Sequence, residues 1–483
     1  MTNPVEVPLW LLLLMGAVTL WAILSRLLIP TVRWFFRRRL NRLIEEVNRR
    51  LHLQLPTFSL TRRQILVDRL AHDPRVLATV REHCRRNGTP WGVALRRVEV
   101  YAREIVPAFN AYIYFRIGRR IARALVQRFY HVRLVHHDRG ALSGLDPDAS
   151  VVFVMNHRSN MDYVLVAWLT EDQAALSYAV GEWARVWPLE PLVRAMGAYF
   201  VRRDSGNLLY RRVLERYVQM AVEGGVSQAV FPEGGLSRDG GFRDARVGLL
   251  DYMLRDFDPE GERDILFVPV GLSYDRVLED RALLREAGQT VRRRSTLRAM
   301  GEGIQLLARN QINRIRGRHE TLGQAAAGFG PPVSARAWCR HHGVDPRRAP
   351  AGERIQQTRA FAEHLLERIG AKIPVLPVPL LCWLIRAEPA AQWTRERLEH
   401  AYGRAVTRLD ARAEPPPIPQ RDPQRAVAEA LTILLERGIL SRAGDALAPG
   451  EGQWPLIDYY ANGIDHLLAS TAPPPTTAPG KSC

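Results

Sequence analysis

Cysteine is scarce in this chain of 483 residues. The four cysteines are Cys84, Cys339, Cys382 and Cys483. They are too few and too far apart to form a disulfide framework or a paired zinc site. Cys339 lies near His341 and His342, but no second pair of ligands accompanies them in the sequence, so we predict no metal. A reducing compartment is the simplest interpretation of this cysteine usage.

Lysine is scarcer still, because Lys372 and Lys481 are the only two, and arginine carries the positive charge. The 68 Lys and Arg residues exceed the 50 Asp and Glu residues, which gives a formal net charge of +18. This excess indicates a negatively charged partner such as anionic lipid, nucleic acid or a phosphorylated substrate. The sequence has no zinc finger, RNA-recognition motif or clear helix-turn-helix pattern, so we predict no nucleic acid among its partners.

Long apolar runs are also rare, and the one exception lies at the N-terminus. Residues 7–29 carry no charge except at Arg26, and they are just long enough to cross a bilayer as a helix. A basic segment at 33–42 follows directly and is interleaved with aromatic residues. Positive charge on this side predicts that it faces the cytoplasm, so we predict a single transmembrane anchor at 7–29. A buried core helix is the alternative interpretation.

The rest of the chain divides into regions of different pattern. Residues 31–130 are basic and have helical periodicity. Residues 131–335 alternate short apolar runs with helical segments, which predicts an α/β domain whose mostly parallel sheet is flanked by helices. Residues 350–468 are predicted to form a helical C-terminal domain. The Pro- and Thr-rich segment 471–483 is predicted to be a disordered tail.

Short apolar runs predict six strands within the α/β domain. They are 151–155, 176–180, 197–201, 228–231, 265–271 and 326–333. Helices are predicted between them, notably at 207–223 and 244–256. In the basic region before the domain, 60–85 and 97–127 are predicted to be amphipathic helices.

The first candidate site lies just after the predicted strand 151–155. His157 follows this strand by two residues, and Asp162 lies five residues further along, before an apolar run. In a strand-to-helix turn, this spacing lets the carboxylate reach one ring nitrogen of His157 while the other nitrogen faces outward. Such a carboxylate fixes the imidazole tautomer and stabilises the imidazolium, which suits a general base. The alternative is a polar surface histidine and an aspartate that serves the first helical turn.

Two further strand ends carry residues suited to a phosphate. The strand at 197–201 leads into Arg202 and Arg203, and arginine holds phosphate through two parallel hydrogen bonds. The strand at 228–231 opens into a turn that contains Glu233, Gly234, Gly235, Ser237 and Arg238. Glycines let backbone N–H groups approach an anion, and Glu233 could hold substrate hydroxyls. The alternatives are a solvated basic rim and an ordinary strand-to-helix turn.

These blocks, in this order, resemble the glycerolipid acyltransferases that share an H-x-x-x-x-D motif. The form H-R-S-x-x-D-Y at 157–163 and the aromatic strand with two arginines at 199–203 are typical of one branch. That branch contains the glycerol-3-phosphate and dihydroxyacetone-phosphate acyltransferases. The apolar strand at 267–271 matches a fourth block, and the Y-x-N-x-x-x-H pattern at 460–466 is similar to an element near the end of that branch.

Two features depart from the pattern of that branch. Leu236 stands where the family usually has an arginine, so one phosphate donor is absent unless Arg243 or Arg246 supplies it. The F-P-E-G form at 231–234 is common among lysophosphatidate acyltransferases. The acceptor is therefore open among glycerol-3-phosphate, its 1-acyl form and dihydroxyacetone phosphate, and the other blocks favour the first.

The resemblance implies a glycerolphosphate acyltransferase-like α/β fold and a glycerol-3-phosphate acyltransferase that makes lysophosphatidate. The acyl donor would be acyl-CoA or acyl carrier protein, and no cofactor is expected. His157 would act as the general base and Asp162 would orient it. The implied substrate-binding residues are Arg158, Ser159, Arg202, Arg203, Glu233, Gly234, Gly235, Ser237 and Arg238. With its anchor, such an enzyme is expected at the cell inner membrane, in contact with membrane lipid, with the catalytic domain in the cytoplasm.

Two other classes of protein compete with this interpretation. A serine hydrolase of the α/β type would need a G-x-S-x-G element, which the sequence lacks. A non-catalytic basic protein that binds membranes or nucleic acid would explain the charge, but not the presence of His157, Asp162 and Glu233 together. The sequence leaves the acyl chain length, the choice of donor and the number of subunits undetermined.

Overall fold

The computed structural model describes residues 55–135, 145–170, 174–181, 185, 189–202, 206–287 and 322–468, together with Met15 and Thr19. Met15 and Thr19 are helical, and the Thr19 hydroxyl donates a 2.7 Å hydrogen bond to the Met15 carbonyl. The rest of the predicted anchor at 7–29 and the predicted tail at 471–483 lie outside the described residues. Within the described part of the chain, no helix is both long and apolar enough to cross a membrane.

The strands of the described chain form one large sheet and one separate hairpin. The large sheet contains β1 (His131–Val135), β2 (Ser150–Met155), β3 (Ser177–Gly181), β4 (Tyr199–Val201), β5 (Gln228–Val230), β6 (Ile265–Tyr274), β7 (Gln324–Phe329) and β8 (Val333–Ser334). The hairpin consists of β9 (Leu440–Ala443) and β10 (Ala446–Pro449), which pair antiparallel.

The order of strands in the large sheet is β1-β7-β6-β2-β5-β3-β4, and β8 pairs with the first part of β6. The strands from β6 through β4 in this order are all parallel neighbours, with Phe153 of β2 opposite both Ala229 and Val268. β7 is antiparallel to β6 and parallel to β1, and β8 is also antiparallel to β6. The prediction of a mostly parallel sheet is therefore confirmed. Since parallel strands end at one edge, the residues after β2, β4 and β5 share that edge.

Five of the six predicted strands coincide with β2 to β6 within a few residues. The sixth, at 326–333, is shorter than predicted, because β7 ends at Phe329 and Pro331 and Pro332 lack the N–H groups that a ladder needs. β1 and the β9–β10 hairpin were not predicted, since each run is too short and too polar to stand out as a buried strand.

Helices lie on both faces of the large sheet and before and after it. They are α1 (Thr57–Leu60), α2 (Arg63–Ala71), α3 (Pro74–Asn87), α4 (Trp91–Ile105), a π-helix (Ile113–Gly118), α5 (Arg119–Phe129), α6 (Asp162–Leu169), α7 (Leu189–Ala195), α8 (Leu208–Glu223), α9 (Gly248–Leu254), α10 (Asp280–Ala287), α11 (Ala335–His342), α12 (Ala351–Gly370), α13 (Pro377–Ala387), α14 (Arg395–Asp410), α15 (Pro423–Glu436), α16 (Trp454–Asn462) and α17 (Asp465–Leu468).

Each of the two amphipathic helices predicted before the domain is divided in the structure. The segment 60–85 becomes α2 and α3, because Pro74 cannot continue a helix and Asp73 caps the new one. The Asp73 carboxylate accepts a 2.9 Å hydrogen bond from the backbone N–H of Arg75. The segment 97–127 is broken in the same way before Pro107, and the chain continues as the π-helix and α5.

β2 lies between two hydrophobic cores, because the side chains of a strand alternate between its faces. Its residues 151, 153 and 155 pack in a core that includes helices α13 to α16. Val152 and Val154 pack in a second core with helices α2 to α4 and α8. The region 350–468 thus shares a core with the large sheet, while the predicted domain boundaries stay a prediction. Packing on both faces fixes the end of β2, from which the candidate site begins.

Candidate active site

The turn after β2 brings His157 and Asp162 together. The Nδ1 atom of His157 lies 2.9 Å from the Oδ2 atom of Asp162, which is the first residue of α6. Since a carboxylate only accepts hydrogen bonds, Nδ1 donates to Asp162, which leaves Nε2 as the ring nitrogen that can act as a base. Within the described residues, no hydrogen bond to Nε2 is present. His157 is 4% exposed and Asp162 is fully buried, so the pair is largely shielded from bulk water.

The backbone of this turn is fixed by hydrogen bonds from its own buried side chains. Asp162 Oδ2 also accepts the backbone N–H groups of Arg158 and Ser159, at 2.7 and 3.0 Å. The Asn156 side chain bridges to β6, donating to the Leu272 carbonyl at 2.9 Å and accepting from the Leu272 N–H at 2.7 Å. These contacts explain why a strand-to-helix turn of this sequence presents His157 in one orientation.

Aromatic side chains fix the imidazole ring from the side of β5. The Phe231 ring stacks on the His157 ring, with centroids 3.9 Å apart and an angle of 20° between the planes. Tyr163 meets His157 edge-on at 5.6 Å, and its hydroxyl donates to the Ala179 carbonyl at 3.2 Å. The ring can therefore neither tilt nor flip without disturbing packed neighbours.

Glu233 joins the turn after β2 to the turn after β5. One of its carboxylate oxygens accepts the His157 backbone N–H at 3.0 Å, and the other accepts the Arg243 backbone N–H at 3.0 Å. The side chain is 1% exposed. Burial raises the pKa of Glu233, although the nearby Arg158 guanidinium and the two amide donors oppose this. The structure thus gives each oxygen a backbone partner, and the predicted contact with substrate hydroxyls stays a prediction.

The two glycines after Glu233 form a turn against which two arginines lie. Gly234 has a φ of +68°, and a Cβ there would lie 2.6 Å from the Cγ atom of Arg246. A Cβ at Gly235 would lie 2.9 Å from the Nη1 atom of Arg243. This nitrogen donates to the Leu236 carbonyl at 3.3 Å. Only glycine suits both the backbone angle and the close approach at 234. The two arginines proposed to replace the one absent at 236 therefore lie at this turn.

Arg158, Ser159 and Ser237 point into the protein, where they hold loops. Arg158 is 5% exposed and donates to the Gly241 carbonyl at 2.7 Å, while its buried Nη2 atom has no hydrogen-bond partner in the described part of the chain. The Ser237 hydroxyl donates to the same carbonyl at 2.7 Å, and its backbone N–H donates to the His157 carbonyl at 2.9 Å. The Ser159 hydroxyl donates to Glu279 at 2.8 Å.

Arg202 lies after β4, at the far edge of the sheet, and is occupied by an acidic side chain. Its Nε and Nη2 atoms donate to the two carboxylate oxygens of Glu104 at 2.8 and 2.5 Å. Arg185 also pairs with Glu104. Burial alone would raise the pKa of Glu104, but the hydrogen bonds from Arg202 and Arg185 lower it overall. Arg203 lies outside the described residues.

Arg238 differs from Arg202 in having no such partner. It is exposed on the turn after β5, and it forms no hydrogen bond or ion pair with the described residues. Arg246 and Arg243 lie against Gly234 and Gly235, and Arg238 follows this turn by three residues. Six of the predicted residues are thus connected to one another by hydrogen bonds: His157, Arg158, Ser159, Asp162, Glu233 and Ser237. Arg238 is close to them in sequence, and Arg202 belongs to a separate ion-pair cluster.

Three residues that matter to this geometry were not predicted. Tyr274, the last residue of β6, donates a 2.6 Å hydrogen bond to Asp162 Oδ1. Glu279 accepts from Ser159 and also from the Asn160 side chain at 3.1 Å, and burial raises the pKa of Glu279 against these hydrogen bonds. Glu104 comes from α4. The only signal in the sequence was that Tyr274 follows the fourth block, at 267–271, by three residues.

The Y-x-N-x-x-x-H element near the C-terminus packs against the same loops. The Asn462 side chain donates to the Asp239 carbonyl at 2.9 Å. Gly240 approaches the backbone of Tyr459 so closely that a Cβ would overlap the Tyr459 carbonyl oxygen. The Tyr460 hydroxyl donates to Asp280 at 2.5 Å and accepts the Val277 N–H at 3.1 Å. This element therefore braces the segment after β5 and the segment after β6.

Comparison with known proteins first defines the class. Residues 135–273 match the family model described as Acyltransferase. Residues 310–473 match the model described as Glycerol-3-phosphate acyltransferase C-terminal region, and together the two matches cover more than half of the chain. The chain therefore contains a region similar to acyltransferases, followed by a region similar to the C-terminal part of glycerol-3-phosphate acyltransferases.

Curated relatives carry the corresponding name. Glycerol-3-phosphate acyltransferase of Xylella fastidiosa strain M23 is 26% identical over 460 residues, which are 90% of this chain and 50% of that protein. The enzyme of the same name from Xanthomonas axonopodis pv. citri is 25% identical over 456 residues, 90% of this chain and 49% of that one. The chain thus spans about half the length of the curated relatives it matches.

One solved structure is also similar in part. It is the 1-acyl-sn-glycerophosphate (LPA) acyltransferase PlsC from Thermotoga maritima, which covers 54% of this chain and 79% of its own, with 17% identity and a TM-score of 0.30.

Proposed function

We propose that this protein transfers a fatty acyl group from a thioester donor to a hydroxyl of glycerol-3-phosphate, and so makes lysophosphatidate. One observation carries this proposal: His157, oriented by Asp162, lies at the carboxyl edge of a parallel sheet, and its Nε2 atom has no hydrogen bond to the described residues. Similarity to glycerol-3-phosphate acyltransferases, in the C-terminal region and in the curated relatives, supports the choice of acceptor.

In the proposed reaction, Nε2 of His157 removes the proton from the acceptor hydroxyl, and the hydroxyl oxygen attacks the thioester carbonyl. The tetrahedral intermediate then breaks its C–S bond, forming the ester and a thiolate. The imidazolium returns the proton to the thiolate, which leaves as the thiol. Asp162 stabilises the imidazolium meanwhile, and a base of this kind contributes roughly 10²–10⁴-fold to the rate. No acyl-enzyme and no cofactor are needed.

We place the acceptor phosphate at the Gly234–Gly235 turn rather than at β4. Arg238, Arg243 and Arg246 lie on or against this turn, which the Glu233 bridge ties to His157. If the phosphate of glycerol-3-phosphate is bound there, the hydroxyl of the same molecule lies towards His157. The hydroxyl then reacts from a fixed position rather than through a bimolecular encounter. Phosphate binding by Arg202 and Arg203 remains a second proposal, because Arg202 is already paired with Glu104.

The test uses detergent-purified protein with labelled acyl-CoA, offered glycerol-3-phosphate and 1-acylglycerol-3-phosphate in parallel. We expect product from glycerol-3-phosphate, and none from it with His157→Ala. The exposed His400 of α14 gives the matched control, because His400→Ala removes an equal side chain remote from the proposed chemistry and should keep full activity. Product from the 1-acyl compound alone would move the enzyme one step later in phospholipid synthesis, and equal turnover by His157→Ala would refute the mechanism.

We further propose that the protein is anchored at the cell inner membrane by residues 7–29, with the catalytic domain in the cytoplasm. The support is the sequence pattern, in which an apolar run whose one charged residue is Arg26 is followed by further arginines. Acyl-CoA or acyl carrier protein would reach the site from the cytoplasm, and the product would join the membrane lipid. A protease-protection assay on oriented membrane vesicles tests this arrangement, since a catalytic domain on the other side would be cleaved from there.

A further inference from the structure

The carboxylate of Asp162 is unusually well supplied with hydrogen-bond donors for a buried group. Its Oδ2 atom accepts from His157 Nδ1 and from the backbone N–H groups of Arg158 and Ser159. Its Oδ1 atom has one donor among the described residues, the Tyr274 hydroxyl, at 2.6 Å. All the donors on Oδ2 come from the turn that contains Asp162 itself, so Tyr274 is the one that ties the carboxylate to the sheet.

We propose that Tyr274 is a positioning residue for the base, holding the Asp162 carboxylate in the orientation that keeps His157 Nδ1 protonated and Nε2 free. This inference rests on the proposed function, because it assigns a role in the same reaction. Tyr274 does not touch the imidazole in the structure and acts only through Asp162.

The surroundings of Tyr274 suit this role. Tyr274 ends β6, the strand that pairs with β2 in register, so the donor and the histidine turn are attached to neighbouring strands. Its ring packs against Tyr130 at 5.3 Å and is 3% exposed. Burial and the neighbouring Asp162 carboxylate raise the pKa of Tyr274 well above its usual value, so the phenol keeps its proton and remains a donor.

Loss of this one donor has a predictable electrostatic consequence. Without the Tyr274 hydroxyl, the Asp162 carboxylate carries more negative charge beside His157. This favours the imidazolium of His157 over the neutral imidazole. The protein would then need a higher pH before His157 can accept a proton. The other titratable and charged groups that face the His157, Asp162 and Tyr274 side chains are Tyr130, Arg158, Tyr163, Glu233, Glu279 and Tyr459. A substitution at 274 leaves all six of these side chains in the protein, so the loss of the Tyr274 hydroxyl is the one change of polar groups at this site.

The substitution Tyr274→Phe removes the hydroxyl and keeps the ring. At neutral pH we expect kcat to fall about tenfold, the size expected for one hydrogen bond to a charged group, with KM for the acceptor changed by less than about twofold. The acid limb of the kcat/KM profile should move to higher pH by about half a unit or more. A merely structural role would lower the amount of folded protein without moving that limb.

Tyr130→Phe is the matched control, because Tyr130 packs on Tyr274 and its hydroxyl donates to the Arg276 carbonyl at 2.8 Å rather than to Asp162. We expect it to keep the kcat and the pH profile of the unmodified protein. Unchanged kcat and pH profile in Tyr274→Phe, or the same change in both variants, would overturn the assignment.

A second readout does not depend on turnover. With selectively ¹⁵N-labelled histidine, the Nδ1–H signal of His157, identified by its absence in His157→Gln, should shift in Tyr274→Phe and stay in place in Tyr130→Phe. If this shift occurs while the unmodified protein acylates neither acceptor, the proposed function fails and the positioning contact stands. If the protein is active and the signal does not respond to Tyr274→Phe, the positioning proposal fails alone.

Discussion

The ends of β5 and β4 look alike in sequence but differ in their electrostatics. Both strands lead into arginines, and each has a carboxylate close by. After β5, Glu233 is bound by two neutral backbone amides, which leaves Arg238 exposed and unpaired among the described residues. After β4, Glu104 binds Arg202 through both oxygens. The β5 end therefore keeps an unpaired arginine, Arg238, for a phosphate, whereas Arg202 at the β4 end is already held by Glu104.

The opposite pKa shifts of the two carboxylates follow from the same difference. Burial dominates at Glu233 and raises its pKa, while hydrogen bonds from two guanidinium groups outweigh burial at Glu104 and lower its pKa. An arginine that follows a strand is thus not in itself evidence of a phosphate site. What decides its availability is whether a carboxylate from elsewhere in the fold reaches it first.

The largest effect on activity is expected at Asp162, which lies at neither of these two strand ends. Asp162→Asn should lower kcat by roughly 10³–10⁴-fold, because an amide cannot stabilise the imidazolium and can favour the wrong tautomer of His157. The measurement is kcat at saturating acceptor, with the fold checked by circular dichroism. Asp244→Asn is the control, since Asp244 is exposed and has no partner among the described residues. Activity within about tenfold of the unmodified protein would remove Asp162 from the mechanism.

The second prediction compares the two strand ends directly. Arg238→Ala should raise KM for glycerol-3-phosphate by roughly 10–100-fold, as expected for the loss of one charge-assisted hydrogen bond to phosphate. Arg202→Ala should raise it by less than about threefold, because Arg202 is held by Glu104. Steady-state kinetics with varied acceptor would check both. A larger effect at Arg202 would mean that the substrate displaces Glu104, and the phosphate would then belong at β4.

The strands and the base pair could be predicted because their signals are local. The run at Val151–Met155 is a buried strand by composition alone, and His157 and Asp162 are five residues apart. The pairing of Arg202 with Glu104 could not be predicted, since 98 residues separate them and either would be an ordinary surface charge by itself. The same holds for Tyr274 and Asp162, 112 residues apart. Contacts of this kind are set by how strands and helices assemble, which composition and spacing do not specify.

A third prediction concerns the stability of the β4 end. Glu104→Gln leaves Arg202 and Arg185 without their carboxylate, so we expect a loss of about 1–3 kcal/mol in the free energy of unfolding. Glu99→Gln on the same helix is the control, because its pair with Arg103 is solvent-exposed and should contribute little. Thermal unfolding of both variants at neutral pH gives the measurement. Equal melting temperatures would show that Glu104 does not hold the arginines in solution.

The smallest expected effect is in how the free energy of unfolding changes with pH. The contributions of Glu104 and Glu233 should change in opposite directions. The pKa of Glu104 is lowered by folding, so its stabilising contribution is present above the pKa of the unfolded chain and is lost as pH falls through the folded value. The stability lost in Glu104→Gln should therefore shrink on acidification. The pKa of Glu233 is raised by folding, so its contribution is present below the unfolded pKa and is lost as pH rises through the folded value.

Melting temperatures of the unmodified protein, Glu104→Gln and Glu233→Gln, measured from neutral pH down to about pH 4, check both signs in one series. The difference caused by Glu233→Gln should grow as pH falls, opposite to that caused by Glu104→Gln. Parallel slopes would contradict the comparison, because they would mean that Glu233, like Glu104, is paired with arginine in solution. In that case the positive charge of the β5 turn would be neutralised too, and Arg238 would lose its advantage over Arg202 as the phosphate ligand.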